Sequence, residues 1–310
     1  MNLSSKSLNS WVGLGLILKC KFKNSIYFFV KSKTILITGG TSGIGKATVE
    51  KLASFGSQII LLGRNKYKAQ KVFDEIKKNF IDARIDYIEG DLSSLKSIAF
   101  AANEIKIKYP TIDVLINNAG GVFSKKQLTE DGFEWSYQIN HLAHFLLTNL
   151  IIENLLKSDG PRVINLSSEA HRIGSINFEN LNCEKKFSTW KQYGSTKLMN
   201  ILFSKGLTNR FSSRGLYSFA LHPGVVKTEF GANNSGLWGY FNKMPFLISP
   251  EKGAETSIYL ATQDTKKLNN GGYYKKSMIS YSSLDSQDIE VQQQLWDVSK
   301  EQLRQKGFNI

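Results

Sequence analysis

Disulfide chemistry is the first thing this sequence lacks. Only Cys20 and Cys183 carry thiols among 310 residues, too few for a stapled framework or a zinc site. That scarcity points to a reducing compartment. Acidic residues are missing from the start: none precedes Glu50, whereas Lys6, Lys19, Lys21, Lys23, Lys31 and Lys33 accumulate there. The imbalance persists overall, with 40 basic against 26 acidic residues and a formal charge of +14. A basic leader suits an anionic membrane surface, and a solvated tail accounts for it equally well. The interleaving of bases and aromatics that marks a nucleic-acid platform is absent, which argues against nucleic acid as a partner.

Long apolar runs are also missing. Trp11 to Leu18 and Ile26 to Val30 are apolar, but each falls short of the roughly 18 residues that a membrane-spanning helix needs. Joining them would bury Lys19, Lys21 and Lys23, with Lys21 on the opposite helical face from the other two. No small-residue cleavage site follows the first run, where Lys19-Cys20-Lys21 stands instead. The expectation is a cytoplasmic protein, at most peripheral at a membrane. Residues 1–32 read as a basic extension and 33–310 as one domain.

What is present is an alternation of short apolar runs and longer helical stretches. With 41% apolar residues the chain can bury a large core, and α/β domains often exceed 200 residues. Strands are predicted at Thr34–Thr38, Gln58–Leu62, Arg84–Glu89, Asp113–Ile116, Arg162–Leu166, Leu216–Leu221 and Gly272–Tyr274. Helices are predicted between them at Gly43–Phe55, Lys66–Lys78, Leu95–Lys108, Trp135–Leu156, Lys191–Arg210, Pro250–Ala261 and Glu290–Gln305. Alternation of this kind implies a doubly wound Rossmann fold: seven parallel strands with helices on both faces. The stretch from Gly231 to Ser249 has no clear period and reads as a loop or lid.

The first predicted strand runs into Thr38-Gly39-Gly40-Thr41-Ser42-Gly43-Ile44-Gly45. Glycines at a strand-to-helix turn let backbone N–H groups approach a pyrophosphate, and the helix N-terminus adds partial positive charge. The spacing is G-x3-G-x-G rather than G-x-G-x-x-G, but the strand-turn-helix setting is the required one. An acid closing the second strand would bind the ribose 2′-hydroxyl of NAD. Here Gly63-Arg64-Asn65 offers a guanidinium for a 2′-phosphate, so NADP(H) is expected over NAD(H). Lys46 either adds to the phosphate field or is a solvated helix lysine.

Further along, Tyr193-Gly194-Ser195-Thr196-Lys197 sets a phenol and an ammonium one helical turn apart on one face. A neighbouring cation favours the phenolate. Lowering a phenol from about pH 10 to about 7 takes roughly 4 kcal/mol. A tyrosine so tuned can exchange a proton with a carbonyl oxygen, and a nearby hydroxyl can stabilise the charge that develops there. His141 and His144 have no evident third metal ligand and read as packing residues. Glu169 and His171 have no evident catalytic partner.

With these residues in view the chain resembles the short-chain dehydrogenase/reductase family, and most of all its retinol-dehydrogenase-like branch, over about residues 33 to 305. The ordered motifs are TGGTSGIG at 38–45, Asp91-Leu92, Asn117-Asn118-Ala119-Gly120, Asn140, Ser167-Ser168, Tyr193 with Lys197, and Pro223-Gly224 through Thr228. The resemblance implies a catalytic set of Asn140, Ser168, Tyr193 and Lys197. Tyr193 would be the general acid or base and Ser168 would hydrogen-bond the substrate oxygen. Lys197 would lower the tyrosine pKa and hold the nicotinamide ribose, and Asn140 would position a water of a proton relay. Ser167 is the alternative hydroxyl.

The resemblance also implies that Gly39, Thr41, Ser42, Gly43, Ile44, Gly45 and Arg64 bind the cofactor phosphates. Asp91 and Leu92 would flank the adenine, and Asn118, Ala119 and Gly120 would line the cleft. Pro223, Val226 and Thr228 would sit beside the nicotinamide. The segment from His171 to Trp190, which separates Ser168 from Tyr193, is usual in the retinol-dehydrogenase-like branch. The clean hydrophobic anchor of membrane-bound relatives is not matched by this leader.

The expected activity is reduction of a carbonyl, or oxidation of an alcohol, on a small lipophilic substrate such as an aldehyde, ketone or retinoid. The aromatic run Leu237-Trp238-Gly239-Tyr240-Phe241 is a candidate substrate wall, packing element or dimer contact, and a homodimer would use the helices near 135–156 and 191–210. Two alternatives compete: a catalytically silent NADP-binding sensor or scaffold, which would tend to lose the Tyr, Lys or Ser, and a sugar-nucleotide epimerase or dehydratase, which would want other glycine spacing.

Overall fold

The computed structural model describes residues 33–226 and 247–310. Its centre is a sheet whose strands are buried on both faces. β1 (Thr34–Thr38), β2 (Gln58–Gly63), β4 (Val114–Asn117), β5 (Arg162–Leu166) and β6 (Tyr217–His222) are buried almost throughout, the pattern of strands covered by helices above and below. β3 (Arg84–Glu89) is half exposed, and β7 (Tyr273–Lys275) is short. The spatial order is β3-β2-β1-β4-β5-β6-β7-β8.

Among the described residues the sheet has eight strands, not the expected seven. β8 (Met278–Ser280) returns antiparallel to β7, while every other pairing is parallel. The hairpin turn uses Lys276 and Ser277, both at positive φ (52° and 59°). A two-residue turn with left-handed backbone is normally announced by Asn or Gly, so this one carries no sequence signal.

Helices fill both faces: α1 (Gly43–Ser54), α2 (Lys66–Asn79), α3 (Leu95–Lys108), α4 (residues 135–150), α5 (Ile152–Leu156), α6 (Thr189–Phe211), α7 (Pro250–Thr262) and α8 (Ile289–Gln305). Capping side chains start several of them. Asn65 accepts from Lys68 N, Ser94 from Ser97 N, Ser249 from Lys252 N ahead of Pro250, and Asp288 from Glu290 N and Val291 N, each satisfying an otherwise orphaned first-turn donor. The stretch 135–156, expected as one helix, is broken. A single α-turn at Trp135–Tyr137 widens into a π-turn at Gln138–Leu142, resumes as Ala143–Leu150, and restarts at Ile152–Leu156.

One core lies between the sheet and α3, α4, α6 and α8; the other lies between the sheet and α1, α2 and α7. In the first, Trp296 of α8 packs against Phe145, Phe203 and Phe211. The chain's own last helix therefore covers part of the surface on α4 and α6 that the sequence offered for a dimer. Among the described residues no helix is long and apolar enough to cross a membrane.

His141 and His144 are buried in the first core. Burial pushes both imidazoles down to about 3, and pushes His222, at the end of β6, down to about 4. An unfolded histidine titrates near 6.5. Between these values the unfolded chain binds more protons than the native one. The stability tied to the neutral rings is thus complete above about pH 6.5 and is lost as pH falls toward 3, at up to about 1.4 kcal/mol per pH unit per histidine. Urea midpoints should therefore already fall between pH 6.5 and 5, above the range where exposed carboxylates titrate. A midpoint that stays constant over that interval would rule this out.

Candidate active site

The cleft opens where the parallel strands end, on both sides of the β1–β4 junction at which strand order reverses, the position where such sheets bind ligands. It encloses about 900 Å³. Its floor is stitched from the ends of β1 and β4. Thr38 Oγ1 accepts from the main-chain N–H of both Asn118 and Ala119, at 3.0 Å each. Asn118 Nδ2 donates to Thr38 O at 2.8 Å and to Gly39 O at 3.1 Å. A hydroxyl has one proton, so Thr38 spends it on His144 Nε2, 3.0 Å away. His144 is therefore the Nδ1–H tautomer, with Nδ1 facing Asn140 O at 3.4 Å.

The glycine turn lies on this floor. Gly39 and Gly43 have φ of +68° and +52°. A Cβ on Gly45 would lie 2.2 Å from Gly39 O and 2.5 Å from Asn118 Nδ2, so no side chain fits there. Ser42 caps α1 without a side-chain hydrogen bond, and Thr41, Ser42, Gly43, Ile44 and Gly45 form the cleft wall at that helix N-terminus.

Arg64, Asn65 and Lys68 close the β2 end, with Asp91 and Leu92 after β3 beside them. The Asp91 carboxylate is engaged by Ser93 N and Ser93 Oγ at 2.9 and 2.8 Å. Asp91 is the sole carboxylate among the described lining residues, against four cations: Arg64, Lys68, Lys125 and Lys197. Lys68 was not singled out in the sequence, although it lies one turn from Arg64 once α2 is known to start at Lys66. Lys46 is not in the wall; its ammonium pairs with Glu75 and Glu50.

At the other end Ser168, Tyr193 and Lys197 meet, with Asn118, Ala119, Gly120, Pro223, Gly224 and Val226 around them. Thr228 and the run 237–241 lie outside the described residues. Ser168 caps the short turn Glu169–Ile173, and its Oγ accepts from Ala170 N at 3.2 Å. The hydroxyl proton of Ser168 is then available toward the phenol of Tyr193, whose ionised form it favours. Ser167 points elsewhere: its Oγ donates to Lys197 O at 2.7 Å.

The Ser168 turn rests directly on α6. A Cβ on Gly174 would sit 2.3 Å from Gly194 C, and one on Gly194 would sit 2.5 Å from Ala170 O. Two glycines thus allow backbone to touch backbone beside Tyr193, and Ser195 Oγ locks the contact by donating to Ser175 O at 2.6 Å.

Asn140 stands behind the wall, on the π-turn. Its amide pairs with both backbone groups of Gly121, accepting from N at 2.8 Å and donating to O at 2.9 Å, and it also reaches Thr196 Oγ1 at 3.1 Å. Gly120 is hemmed in by this amide and by the Lys197 ammonium, which would lie 2.8 and 3.4 Å from a Cβ there. The remaining wall is largely apolar and was not read from the sequence: Val122, Phe123, Trp135 and Ile139, with Phe123 and Trp135 in edge contact at 5.4 Å.

Electrostatics depart from the sequence expectation. Lys197 Nζ lies 5.5 Å from the centre of the Tyr193 ring and donates to Leu166 O at 3.0 Å. Burial dominates both groups. It pushes the phenol up to about 12, against the hydrogen bond from Ser168, and the ammonium down to about 8. Tyr193 holds its proton at neutral pH in this geometry, because desolvation outweighs attraction to the cation.

The short chain dehydrogenase family model matches residues 33–236. Mouse retinol dehydrogenase 12 is 35% identical over 277 residues, covering 88% of this chain and 87% of the relative. Mouse retinol dehydrogenase 13 is 37% identical over 278 residues, covering 87% and 83%. An uncharacterized protein from Mycobacterium Paratuberculosis superposes with a TM-score of 0.72 at 29% identity, covering 88% of this chain and 94% of its own. A short chain dehydrogenase from Escherichia coli CFT073, solved with NADPH, gives 0.65 at 23% identity, covering 81% and 98%. The chain belongs to the short-chain dehydrogenase family of oxidoreductases, which use a nicotinamide cofactor, and it is retinol-dehydrogenase-like.

The buried ammonium has a measurable consequence for stability. Lys197 is 4% exposed, and its folded value of about 8 lies below the ordinary lysine value of 10.5. Charging it in place opposes folding below pH 8, and this penalty disappears as pH rises from 8 to 10.5. Leu166 O keeps a donor without it, since Asn200 Nδ2 also reaches that oxygen at 3.0 Å. Lys197→Met should therefore raise unfolding stability at pH 7 by about 1–3 kcal/mol, with the two proteins converging toward pH 10.5. Denaturant titrations at both pH values check this; a less stable variant at pH 7 would contradict it.

Proposed function

We propose that the protein is an NADP(H)-dependent oxidoreductase that interconverts a lipophilic aldehyde or ketone, retinoid-like in character, with its alcohol. The observation that carries this reading is a single cleft. One end is a glycine turn flanked by Arg64 and Lys68, and the other brings Ser168, Tyr193 and Lys197 together beside an apolar wall. The residues present suit the cofactor: a helix N-terminus whose Ser42 cap makes no side-chain hydrogen bond favours a pyrophosphate, and two cations at the end of β2 favour a 2′-phosphate. The apolar wall and the retinol dehydrogenase names of the relatives support the substrate class.

When bound, the nicotinamide supplies or accepts the hydride. The chain's own groups handle the proton and the charge. In reduction, Tyr193 gives its phenolic proton to the carbonyl oxygen while Ser168 donates a hydrogen bond to that oxygen. In oxidation the same proton returns to Tyr193. Lys197 supports the phenolate that forms and would hold the nicotinamide ribose. Asn140 would position a water that connects Lys197 to a proton relay. Asp91 and Leu92 would hold the adenine, Asn118, Ala119 and Gly120 would line the central cleft, and Pro223 and Val226 would hold the nicotinamide.

Two measurements test this. Tyr193→Phe should keep NADPH binding while carbonyl reduction falls about 10²- to 10⁴-fold; undiminished turnover would remove Tyr193 from the chemistry. Arg64→Ser combined with Lys68→Ser should weaken NADPH binding at least about tenfold, one charge-assisted hydrogen bond or more, and leave NADH binding nearly unchanged. An equal loss for both cofactors would show that these cations do not read the 2′-phosphate.

A further inference from the structure

One buried imidazole beside the site has no part in that chemistry. His171 lies three residues after Ser168, on the turn Glu169–Ile173, and is fully buried. Its two ring nitrogens have separate partners. The main-chain N–H of Ser283 points at Nε2 from 3.0 Å. A backbone N–H can only donate, so Nε2 is the unprotonated nitrogen. The ring proton is then on Nδ1, 2.6 Å from the main-chain oxygen of Ser168. The main-chain N–H of His171 reaches the same oxygen at 3.0 Å. One residue therefore grips the Ser168 carbonyl twice, and a segment 112 positions downstream dictates which tautomer does so.

The ring has little freedom to turn. Tyr273 packs against it at 5.0 Å and is itself held by a hydrogen bond from its hydroxyl to Glu169 Oε1 at 2.8 Å. Arg172 and Lys275 pair with Glu169, and His222 Nδ1 accepts from Glu169 N. Burial is the largest influence on the imidazole and lowers its pKa, against the pull of the Ser168 carbonyl.

We propose that His171 is a positioning residue for Ser168: held as the Nδ1–H tautomer by Ser283, it fixes the serine's carbonyl and so aims its hydroxyl at the substrate oxygen. This role rests on the carbonyl–alcohol reading given above. Small errors in the placement of a reacting group are enough to lower a rate, whereas cofactor affinity is set at the other end of the cleft.

The test separates the two nitrogens. His171→Phe keeps a ring against Tyr273 and deletes both hydrogen bonds. His171→Asn restores a donor near Nδ1, and His171→Gln restores an acceptor near Nε2. NADPH affinity, read by fluorescence, should be unchanged in all three. With retinal or a medium-chain aldehyde that the wild type reduces, kcat should fall roughly tenfold in the Phe and Gln variants and recover most of that in the Asn variant. Imidazole ¹⁵N shifts of the wild type should show Nε2 unprotonated. A protonated Nε2, or an Asn variant no faster than Gln, would overturn the proposal. If the Phe variant does not fold, the contrast between Asn and Gln decides. A wild type that binds NADPH but reduces no carbonyl would sink the carbonyl–alcohol reading and this role with it, while the ¹⁵N result would still judge the hydrogen-bond geometry by itself.

Discussion

The buried ammonium of Lys197 is the constraint around which the rest of the site is arranged. A charge in low-dielectric surroundings is expensive unless fixed dipoles replace its water. The dipole in reach is Leu166 O, at the last residue of β5. Lys197 can use it because α6 runs past the end of that strand, with its backbone tied to the strand by the Ser167 hydroxyl. Gly120 leaves room for the Asn140 amide beside the ammonium, since a Cβ there would lie 2.8 Å from Asn140 Oδ1. Tyr193, four residues earlier on the same face, is placed by the same docking. Its partner Ser168 is brought onto α6 by the contact between Gly174 and Gly194. The pair of residues that looks local in sequence therefore depends on where one strand ends and on two glycines that let backbones touch.

The glycine-turn end of the cleft is held by a second unit, and the two are joined. Thr38 closes β1 against the Asn118–Ala119 loop, and its only proton goes to His144 on α4. The π-turn one step earlier sets Asn140 against Gly121. With one extra residue in that turn, α4 can present Asn140 to the 120–121 loop and His144 to Thr38. The glycine turn, the β4 loop and the helix behind Lys197 thus form one hydrogen-bonded body. Burial keeps His144 neutral, and that neutrality matters here: a protonated His144 could not accept from Thr38, and the floor of the cleft would lose its closing bond.

Much of this was legible in the sequence, for physical reasons that also mark the limit. Strands buried on both faces read as unbroken runs such as TILIT and QIILL, and the helices between them were found to within a residue or two at most ends. The glycine turn and the Tyr193–Lys197 spacing were legible because each is a local pattern. What depended on distant partners was not. The break in 135–156 goes with Asn140 pairing 19 residues back with Gly121, a partner that the pattern of the stretch itself does not announce. Lys46 is taken up by Glu75, 29 residues on. β8 was missed because its turn uses Lys276 and Ser277 where Gly or Asn would be expected. His171 had no visible partner because that partner, the N–H of Ser283, is a backbone group that no residue type announces.

The direction of the tyrosine's pKa is the instructive difference. The spacing of Tyr193 and Lys197 suggested Coulombic attraction, which lowers a phenol's pKa. The packing that brings the two together also removes water from both, and at 5.5 Å from ring centre to ammonium the loss of solvent is the larger effect. The phenol is therefore a held acid at neutral pH while the lysine, at about 8, still carries its charge. On the proposed chemistry that combination suits proton donation. The proton leaves the phenol only as negative charge accumulates on the substrate oxygen, and the phenolate it leaves behind forms beside a cation already in place. Desolvation thus prevents idle ionisation of the tyrosine, and the lysine becomes useful at the moment the proton moves.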